Sequence, residues 1–307
     1  MGGTIRSTRR TWRVAAAVVA AWAAAAVSPG PAGAAPAGPA DVSQAATTRY
    51  VALGDSFTAG PLIPNQLADP LGCLRSNRDY PHRVAARLSP AAFRDVSCSG
   101  ADTGDMTAPQ NVTPGPNPPQ LDALDASTSL VTIGIGGNDI GFSGIIESCV
   151  TLVPWNTPCR DTYTAGGTDE LSRRIAETGP KVATTLAAIR ARSPQATLVV
   201  VGYPTILPNS GIGCWPAVPI GWGDVSYLRA KHRELNAMLA GQAAAAGASY
   251  VDTYTPSIGR DACASSSRRW VEPLVPATLA APFHPNARGM QGMADAVVAR
   301  LGVAVAG

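Results

Sequence analysis

The chain has 307 residues, 46% of them hydrophobic, and a formal charge of +3 from 24 basic and 21 acidic side chains. The basic residues are scattered and form no stripe, so the composition gives no sign of a nucleic-acid partner. The three histidines have no paired spacing. We therefore predict no metal site, and nothing in the sequence indicates a cofactor.

Residues 1–34 have the pattern of a secretory signal peptide. Four arginines precede an apolar stretch over residues 14–27, and the small residues 32–34 follow it. A bilayer needs about 20 apolar residues, so we predict export and no integral membrane association. The arginine pair at 9–10 leaves a twin-arginine route open. Without the leader, 20 basic residues stand against 21 acidic ones. Residues 35–48 are small, polar or proline-rich and predict a flexible lead-in.

The remaining region, residues 49–307, suits one α/β domain. Short apolar runs alternate there with helical periodicity, which indicates a parallel sheet covered on both faces. The predicted strands are 50–53, 93–98, 130–135, 197–201 and 249–251. The predicted helices are 80–88, 169–192 with a break near Gly179 and Pro180, 225–246, and a last helix from an N-cap at Asn286 to about residue 301.

A serine follows the first predicted strand in the sequence Gly54, Asp55, Ser56. Open α/β folds place their chemistry at the carboxyl ends of strands, so Ser56 is a candidate nucleophile. Thr58 stands where the Gly-x-Ser-x-Gly turn has its second glycine, which disfavours the larger α/β-hydrolase fold. A serine at a strand-to-helix junction also serves as a helix N-cap, and this motif alone leaves that use open.

Two later segments contain donors for an oxyanion. Gly100 follows the second predicted strand and would offer a backbone N–H with no side chain blocking close approach. Asn138 follows the third and would offer its side-chain amide. Ordinary turns also account for both residues. His284, just before the last predicted helix, is the candidate general base.

Ser56, Gly100, Asn138 and His284 occur in the order that names the SGNH hydrolases, also called the GDSL family, and the chain resembles this family. It is most similar to the secreted actinobacterial branch that contains Streptomyces lipases, phospholipases and a suberin-type esterase. The resemblance implies a flavodoxin-like three-layer sandwich around a parallel sheet of about five strands. It also implies hydrolysis of carboxylic esters, with Ser56 and His284 as catalytic pair and an oxyanion hole of the Ser56 N–H, Gly100 and Asn138.

The block around His284 departs from the family pattern, because Ala281 stands where an aspartate is usual. A general base needs an acceptor for its Nδ1 proton, and we predict the backbone oxygen of Ala281 or Pro282 in that role. An acidic side chain from elsewhere is the alternative. The candidates are Asp55, Asp139, Asp252, Asp261 and Glu272.

Six cysteines all follow the leader of a chain predicted to be exported, which favours three disulfides. The sequence alone leaves the pairing open. The resemblance implies sequential pairing, Cys73 with Cys98, Cys149 with Cys159 and Cys214 with Cys263.

Three long stretches, 61–77, 142–168 and 203–224, are predicted as loops at the carboxyl edge, where binding surfaces often form. Their apolar side chains either line a groove for an acyl chain or pack the loops onto the sheet. These side chains are Leu62, Ile63, Ile145, Ile146, Val150, Leu152, Trp155, Ile206, Trp215, Val218, Ile220 and Trp222.

Together these features predict a secreted, monomeric lipase or esterase that acts through an acyl-enzyme on acylglycerols or similar lipid esters. A phospholipase A or a polysaccharide deacetylase would use the same residues with a different groove. A catalytically silent binding protein that keeps the fold is a third alternative, favoured only by the missing aspartate before His284.

Overall fold

The computed structural model describes residue 2 and residues 48–302. The predicted signal peptide and nearly all of the predicted lead-in lie outside the described residues. None of the described helices is both long and apolar enough to cross a bilayer.

A parallel sheet forms the centre of the described region, with strand order β2-β1-β3-β4-β5. Its strands are β1 (Arg49–Gly54), β2 (Ala92–Asp95), β3 (Leu130–Gly134), β4 (Thr197–Val201) and β5 (Ser249–Val251). Every neighbouring pair is parallel. All of β3 is buried, as expected for a strand that helices cover on both faces.

Helices cover both faces of this sheet, which confirms the predicted α/β three-layer fold. Alternate residues of β1 enter different cores: Tyr50 packs with α2 and α7, whereas Val51 packs in the core that contains α5 and α6. The helices are α1 (Ser56–Ala59), α2 (Tyr80–Leu88), α3 (Phe142–Cys149), α4 (Pro158–Thr164), α5 (Glu170–Arg192), α6 (Trp222–Ala245) and α7 (Ala287–Arg300).

The predicted break in α5 is wrong, because the helix continues through Pro180. Proline removes one internal hydrogen bond, but packing against α6 holds the helix together on both sides. Gly179 serves this packing: a Cβ there would lie 3.2 Å from Gln242 Nε2 and 3.6 Å from Met238 Cγ, both on α6. The glycine therefore marks a close helix contact instead of a helix end.

The second predicted loop, 142–168, is also wrong in part, since it contains α3 and α4. Cys149 at the end of α3 is bonded to Cys159 in α4. Short helices fixed by a disulfide lack the long amphipathic pattern that reveals a helix in sequence. The structure also contains the Cys73–Cys98 and Cys214–Cys263 bonds, so its three pairs are those that the resemblance implies.

Candidate active site

Ser56 is the first residue of α1 and directly follows the turn that ends β1. Asp55 is the N-cap of this one-turn helix, and its Oδ1 accepts a hydrogen bond from the Phe57 N–H at 2.9 Å. The alternative use of Ser56 as the N-cap is therefore wrong. Gly54 is required here, since a Cβ would lie 2.6 Å from the Gly134 carbonyl oxygen of β3. This tight turn places the Ser56 hydroxyl at the carboxyl edge of the sheet.

His284 contacts Ser56 although 228 residues separate them: its Nε2 lies 2.8 Å from the serine Oγ. The other ring nitrogen, Nδ1, lies 2.7 Å from the carbonyl oxygen of Pro282. A carbonyl only accepts hydrogen bonds, so Nδ1 carries the proton and Nε2 is free to accept from the serine hydroxyl. This tautomer is the one that a general base needs.

The two candidate acceptors for the histidine have different partners. The carbonyl of Ala281 accepts from the backbone N–H of His284 at 3.2 Å, whereas the carbonyl of Pro282 accepts from the ring Nδ1. All five acidic alternatives lie in the described residues, and none contacts Nδ1. Asp252 caps the turn at Tyr254, and Asp261 accepts from the Cys263 N–H. The other three are bonded as described below.

A backbone pairing holds the histidine loop in place. The Phe283 N–H donates to the Glu272 carbonyl at 2.9 Å, and the Glu272 N–H donates to the His284 carbonyl at 3.1 Å. The fully buried Glu272 carboxylate accepts from Asn286 Nδ2 at 2.7 Å and Thr278 Oγ1 at 2.8 Å. Burial raises the pKa of Glu272, but these hydrogen bonds outweigh it and leave the pKa below its ordinary value.

Two aromatic rings pack beside the histidine. The ring centroid of Phe57 lies 5.0 Å from that of His284, and that of Phe142 lies 5.9 Å away. Burial lowers the pKa of His284 below its ordinary value, an effect that the Pro282 carbonyl partly opposes. The imidazole is consequently neutral at neutral pH, as a proton acceptor must be.

The two candidate oxyanion donors lie on either side of the serine turn, because β2 and β3 flank β1 in the sheet. Gly100 has a left-handed φ of 82° in the exposed turn after β2. Asn138 follows β3, and its Nδ2 donates to the Ala101 carbonyl at 2.8 Å. An amide has two N–H groups, so one remains for a ligand. The contact with Ala101 ties the two donor loops together.

Asp139 adds a second tie between these loops. Its Oδ1 accepts from Thr103 Oγ1 at 2.5 Å and its Oδ2 from the Thr103 N–H at 3.1 Å. Burial raises the pKa of Asp139, and the bonds from Thr103 oppose the shift. The acid therefore positions the donor loops instead of orienting His284.

Tyr203, which directly precedes Pro204 after β4, was missed by the sequence analysis. Its hydroxyl donates to Asp55 Oδ2 at 2.5 Å and accepts from the Gly137 N–H at 2.8 Å. Burial raises the pKa of Asp55 to about 7, while the bonds from Tyr203 and Phe57 act to lower it. One buried hydroxyl thus joins the serine turn to the asparagine turn. A tyrosine at the carboxyl end of a predicted strand is the only signal for this role in the sequence.

An apolar pocket with about 810 Å³ of empty space, open solvent at its mouth included, adjoins Ser56 and Asn138. Of the loop side chains proposed to line a groove, Ile145, Ile146 and Ile206 do so. Others, such as Val218 and Ile220, are buried in the core. Both predicted uses of these loops are therefore present, at different residues. Further walls come from Ile140, Phe142, Leu171, Leu207, Leu228 and Leu235.

Among the described residues, one group, Asp79, His82 and Asp95, brings possible metal ligands within 4.8 Å of one another. His82 Nδ1 lies 2.7 Å from Asp79 Oδ1, so a histidine–carboxylate contact already uses that nitrogen. Burial lowers the pKa of His82 and raises that of Asp79 to about 7. Asp79 is the N-cap of α2, His82 lies in α2 and Asp95 ends β2, so this group is not part of the Ser56 site.

The parallel sheet and the serine–histidine pair at its carboxyl edge define the class as an α/β hydrolytic enzyme. A sequence model described as the GDSL-like Lipase/Acylhydrolase family matches residues 52–291, and the chain belongs to this family. It is 41% identical over 264 residues to Lipase 2 of Streptomyces coelicolor, covering 84% of this chain and 87% of that protein.

Two crystal structures from Streptomyces are similar, each at 28% sequence identity. Phospholipase A1 from Streptomyces albidoflavus NA297 has a TM-score of 0.69 and covers 83% of this chain and 100% of its own. An extracellular lipase from Streptomyces rimosus has a TM-score of 0.65, and the match covers 82% of this chain and 99% of the lipase. This protein is accordingly a carboxylic ester hydrolase of the lipase and esterase group, which confirms the predicted reaction class.

Proposed function

We propose that this protein is an exported lipase that forms an acyl-enzyme on Ser56. The observation that carries the proposal is the 2.8 Å contact between Ser56 Oγ and His284 Nε2 beside an apolar pocket. Ser56 Oγ attacks the ester carbonyl while its proton passes to His284 Nε2. The imidazolium then returns the proton to the leaving alcohol, which departs as the acyl-enzyme forms.

Hydrolysis of the acyl-enzyme uses the same groups. His284 takes a proton from water, the resulting hydroxide attacks the acyl carbon, and Ser56 leaves with the proton that the histidine returns. Negative charge on the carbonyl oxygen is stabilised by the Ser56 N–H, the Gly100 N–H and the remaining N–H of Asn138 Nδ2. The Pro282 carbonyl, 2.7 Å from Nδ1, keeps the imidazole in the required orientation through both steps.

The pocket supports a lipid substrate. Its walls carry isoleucine, leucine and phenylalanine side chains from α3, α5, α6 and the loop before α6, which suit the alkyl chain of a fatty acid. These apolar walls offer few hydrogen-bond partners to a sugar, so they disfavour a polysaccharide deacetylase. The second candidate is a phospholipase A, which the similarity to a phospholipase A1 structure favours.

The test of this function is the hydrolysis of p-nitrophenyl esters of increasing chain length by the oxidised protein and by Ser56→Ala. We expect wild-type turnover to be highest with chains longer than acetyl, and the variant to be inactive. Phosphatidylcholine and triacylglycerol offered side by side then separate the two candidates. Wild-type activity that survives in Ser56→Ala, or no activity in either protein, would contradict the proposal.

Export is part of the proposal and is supported by the three disulfides, which form and persist in oxidising compartments. The expected product is a soluble monomer that starts near residue 35. Amino-terminal sequencing of the protein from culture medium tests this start, and sedimentation tests the monomer. Recovery only from the cell interior would contradict export.

A further inference from the structure

In the described region, the large exposed apolar side chains belong to segments at the carboxyl edge of the sheet. Eleven large ones are exposed among the described residues, and all lie between the carboxyl end of a strand and the start of the next long helix. In the described chain, none lies in α2, α5 or α7, and α6 contributes only its first residue. The eleven are Leu62, Leu71, Val150, Leu152, Trp155, Ile212, Trp222, Ile258, Leu274, Val275 and Leu279.

Four of them form a tryptophan patch, defined as Val150, Leu152, Trp155 and Trp222. Leu152 is 87% exposed and Trp155 71%. Two neighbouring segments hold these side chains at the surface, because the Trp222 N–H donates to the Pro154 carbonyl at 2.7 Å. Val150 pairs with Ile220 across the same segments, and the Cys149–Cys159 bond closes the loop. The backbone therefore prevents these side chains from folding inward.

Four others form a leucine patch, defined as Leu62, Leu274, Val275 and Leu279. Val275 is 79% exposed and Leu279 69%. The Ala281 N–H donates to the Pro61 carbonyl at 3.0 Å, which joins the two segments that carry the patch. Leu279 is three residues before Pro282, whose carbonyl contacts His284. This patch therefore borders the catalytic histidine.

Helix α3 leads from the pocket to the tryptophan patch. Phe142, at the start of α3, packs against the His284 ring, and Ile145 and Ile146 line the pocket. The helix has eight residues, so it leads over about 10 Å into Val150 of the tryptophan patch.

The segments that carry the two patches and the adjoining loops have no charged side chains, whereas α3 carries Glu147 and the pocket is also lined by Arg229 and Lys231. The uncharged segments are residues 56–68, 150–159, 203–223 and 273–283. By contrast, the single helix α5 carries seven charged side chains. A large exposed apolar surface marks an interaction site, and tryptophan is enriched where an apolar phase meets water.

We propose that this edge docks onto the surface of aggregated, uncharged or zwitterionic lipid, with the tryptophan and leucine patches on either side of the pocket mouth. Docking presents the ester to Ser56 directly from the lipid phase, and in this respect the inference rests on the proposed function. A second copy of the chain on this edge would cover the pocket mouth and exclude substrate. The lack of charge in these segments favours a neutral surface over an anionic one.

The binding test uses vesicles of diether phosphatidylcholine, which has no ester to cleave, so docking is measured independently of turnover. We compare Leu152→Ser/Trp155→Ser and Val275→Ser/Leu279→Ser with the wild type by flotation. Leu71→Ser is the matched control, a 45% exposed leucine on the same edge but outside both patches, so it tests whether the patches and not any exposed leucine make the contact; it lies next to Gly72, whose N–H donates to the Pro114 carbonyl at 3.0 Å. We expect each double variant to bind about tenfold more weakly, the control to bind like wild type, and salt to have little effect.

Wild-type protein that does not float, double variants that float equally well, or binding that salt abolishes would each overturn the inference. A dimer in sedimentation that both double variants disrupt, with no vesicle binding, would assign the edge to self-association instead.

The activity test compares emulsified tributyrin with dissolved p-nitrophenyl butyrate. The activity of the double variants should fall about tenfold on the emulsion and stay within about twofold of the wild-type activity on the dissolved ester. Equal losses on both substrates would overturn the docking role. Full activity of Ser56→Ala on the dissolved ester would instead overturn the proposed function, while vesicle binding would still be judged on its own result.

Discussion

At the scale of single residues, the site depends on one neutral acceptor where related sites use a carboxylate. The Pro282 carbonyl fixes the His284 tautomer at 2.7 Å but carries no full charge to stabilise the imidazolium. Burial beside Phe57 and Phe142 further disfavours the charged ring. Both effects keep the histidine unprotonated, which suits the role of general base that we propose for it.

The pH dependence of kcat/KM on a dissolved ester should reflect this environment. Because burial disfavours the charged form, the pKa of His284 lies below its ordinary value of 6.5. Activity needs the neutral ring, so the acid limb should rise through a midpoint below about 6.5 and be complete by neutral pH. A midpoint above this value would show a stabilised imidazolium, and with it an acidic partner.

The Asn138 side chain should matter to the transition state far more than to folding. In Asn138→Ala, loss of the oxyanion donor should lower kcat about 10²-fold or more while KM changes little. The lost bond to Ala101 also affects the loop, so circular dichroism and the melting temperature serve as controls. Near-normal turnover by a folded variant would remove Asn138 from the oxyanion hole.

At the scale of elements, the site is built from the turns that follow several strands of the sheet. The turn after β1 carries Ser56, and the turns after β2 and β3 carry Gly100 and Asn138. Tyr203, after β4, fastens the first of these turns to the third through Asp55 and the Gly137 N–H. We propose that Tyr203 is a positioning residue, whose hydroxyl fixes the distance between the proposed nucleophile Ser56 and the proposed oxyanion donor Asn138.

Tyr203→Phe keeps the ring but removes the hydroxyl that joins the two turns. We expect kcat to fall about tenfold with little change in KM, because a small displacement of reacting groups is costly in the transition state. Tyr250→Phe, on β5, removes a hydroxyl outside the site and is the control. A fall in melting temperature with unchanged kcat would mean that Tyr203 only stabilises the fold.

The N-cap of α2 offers a second test at this scale. Asp79 is fully buried, and apart from each other Asp79 Oδ2 and Asp95 Oδ2 have no hydrogen-bond partner. Burial raises the pKa of Asp79 to about 7, so ionisation is unfavourable in the folded state and stability is lost as pH rises from about 4 through 7.

Asp79→Asn keeps an oxygen for the His82 N–H and carries no charge. The variant should be more stable than wild type by about 1–3 kcal/mol at pH 8 and show little gain at pH 4. Urea unfolding at the two pH values measures the difference. A variant that is less stable at pH 8 would show that the ionised carboxylate is well compensated.

At the scale of the whole molecule, charged side chains and exposed apolar side chains are concentrated in different parts of the described region. The helix α5 carries seven charged side chains, whereas the carboxyl edge carries the site and the exposed apolar surface. Long segments on that edge cost conformational entropy to order. Three disulfides reduce this cost, with sequence separations of 25, 10 and 49 residues.

The bond that closes the longest loop should therefore contribute most to stability. Cys214→Ser/Cys263→Ser should lose about 2–4 kcal/mol of unfolding free energy and melt earlier, with the pocket wall at Ile206 and Leu207 affected. The Cys149–Cys159 bond closes a shorter loop, so Cys149→Ser/Cys159→Ser should lose less unfolding free energy. An equal or larger loss in the second variant would contradict the loop-length argument.

Most of the strands and the longer helices could be predicted from local physics, because β-branched runs form buried strands and small residues form turns at their ends. Ser56, Gly100, Asn138 and His284 were singled out as candidates by the order of motifs that the chain shares with the GDSL family. The short helices α3 and α4 could not be predicted, because they are too short to show a clear helical periodicity. The Cys149–Cys159 disulfide, with a sequence separation of 10 residues, joins them. The structure also shows α5 continuing through Pro180, because packing against α6 outweighs a local helix breaker.

The sequence left open which acceptor His284 uses, which apolar loop side chains line the pocket, and whether Tyr203 joins two turns. Each of these depends on contacts between segments far apart in the chain, such as Tyr203 with Asp55. Local sequence preferences fix the backbone of a segment, but they do not fix its distance from another segment. The order of strands in the sheet and the packing of the loops above it set that distance.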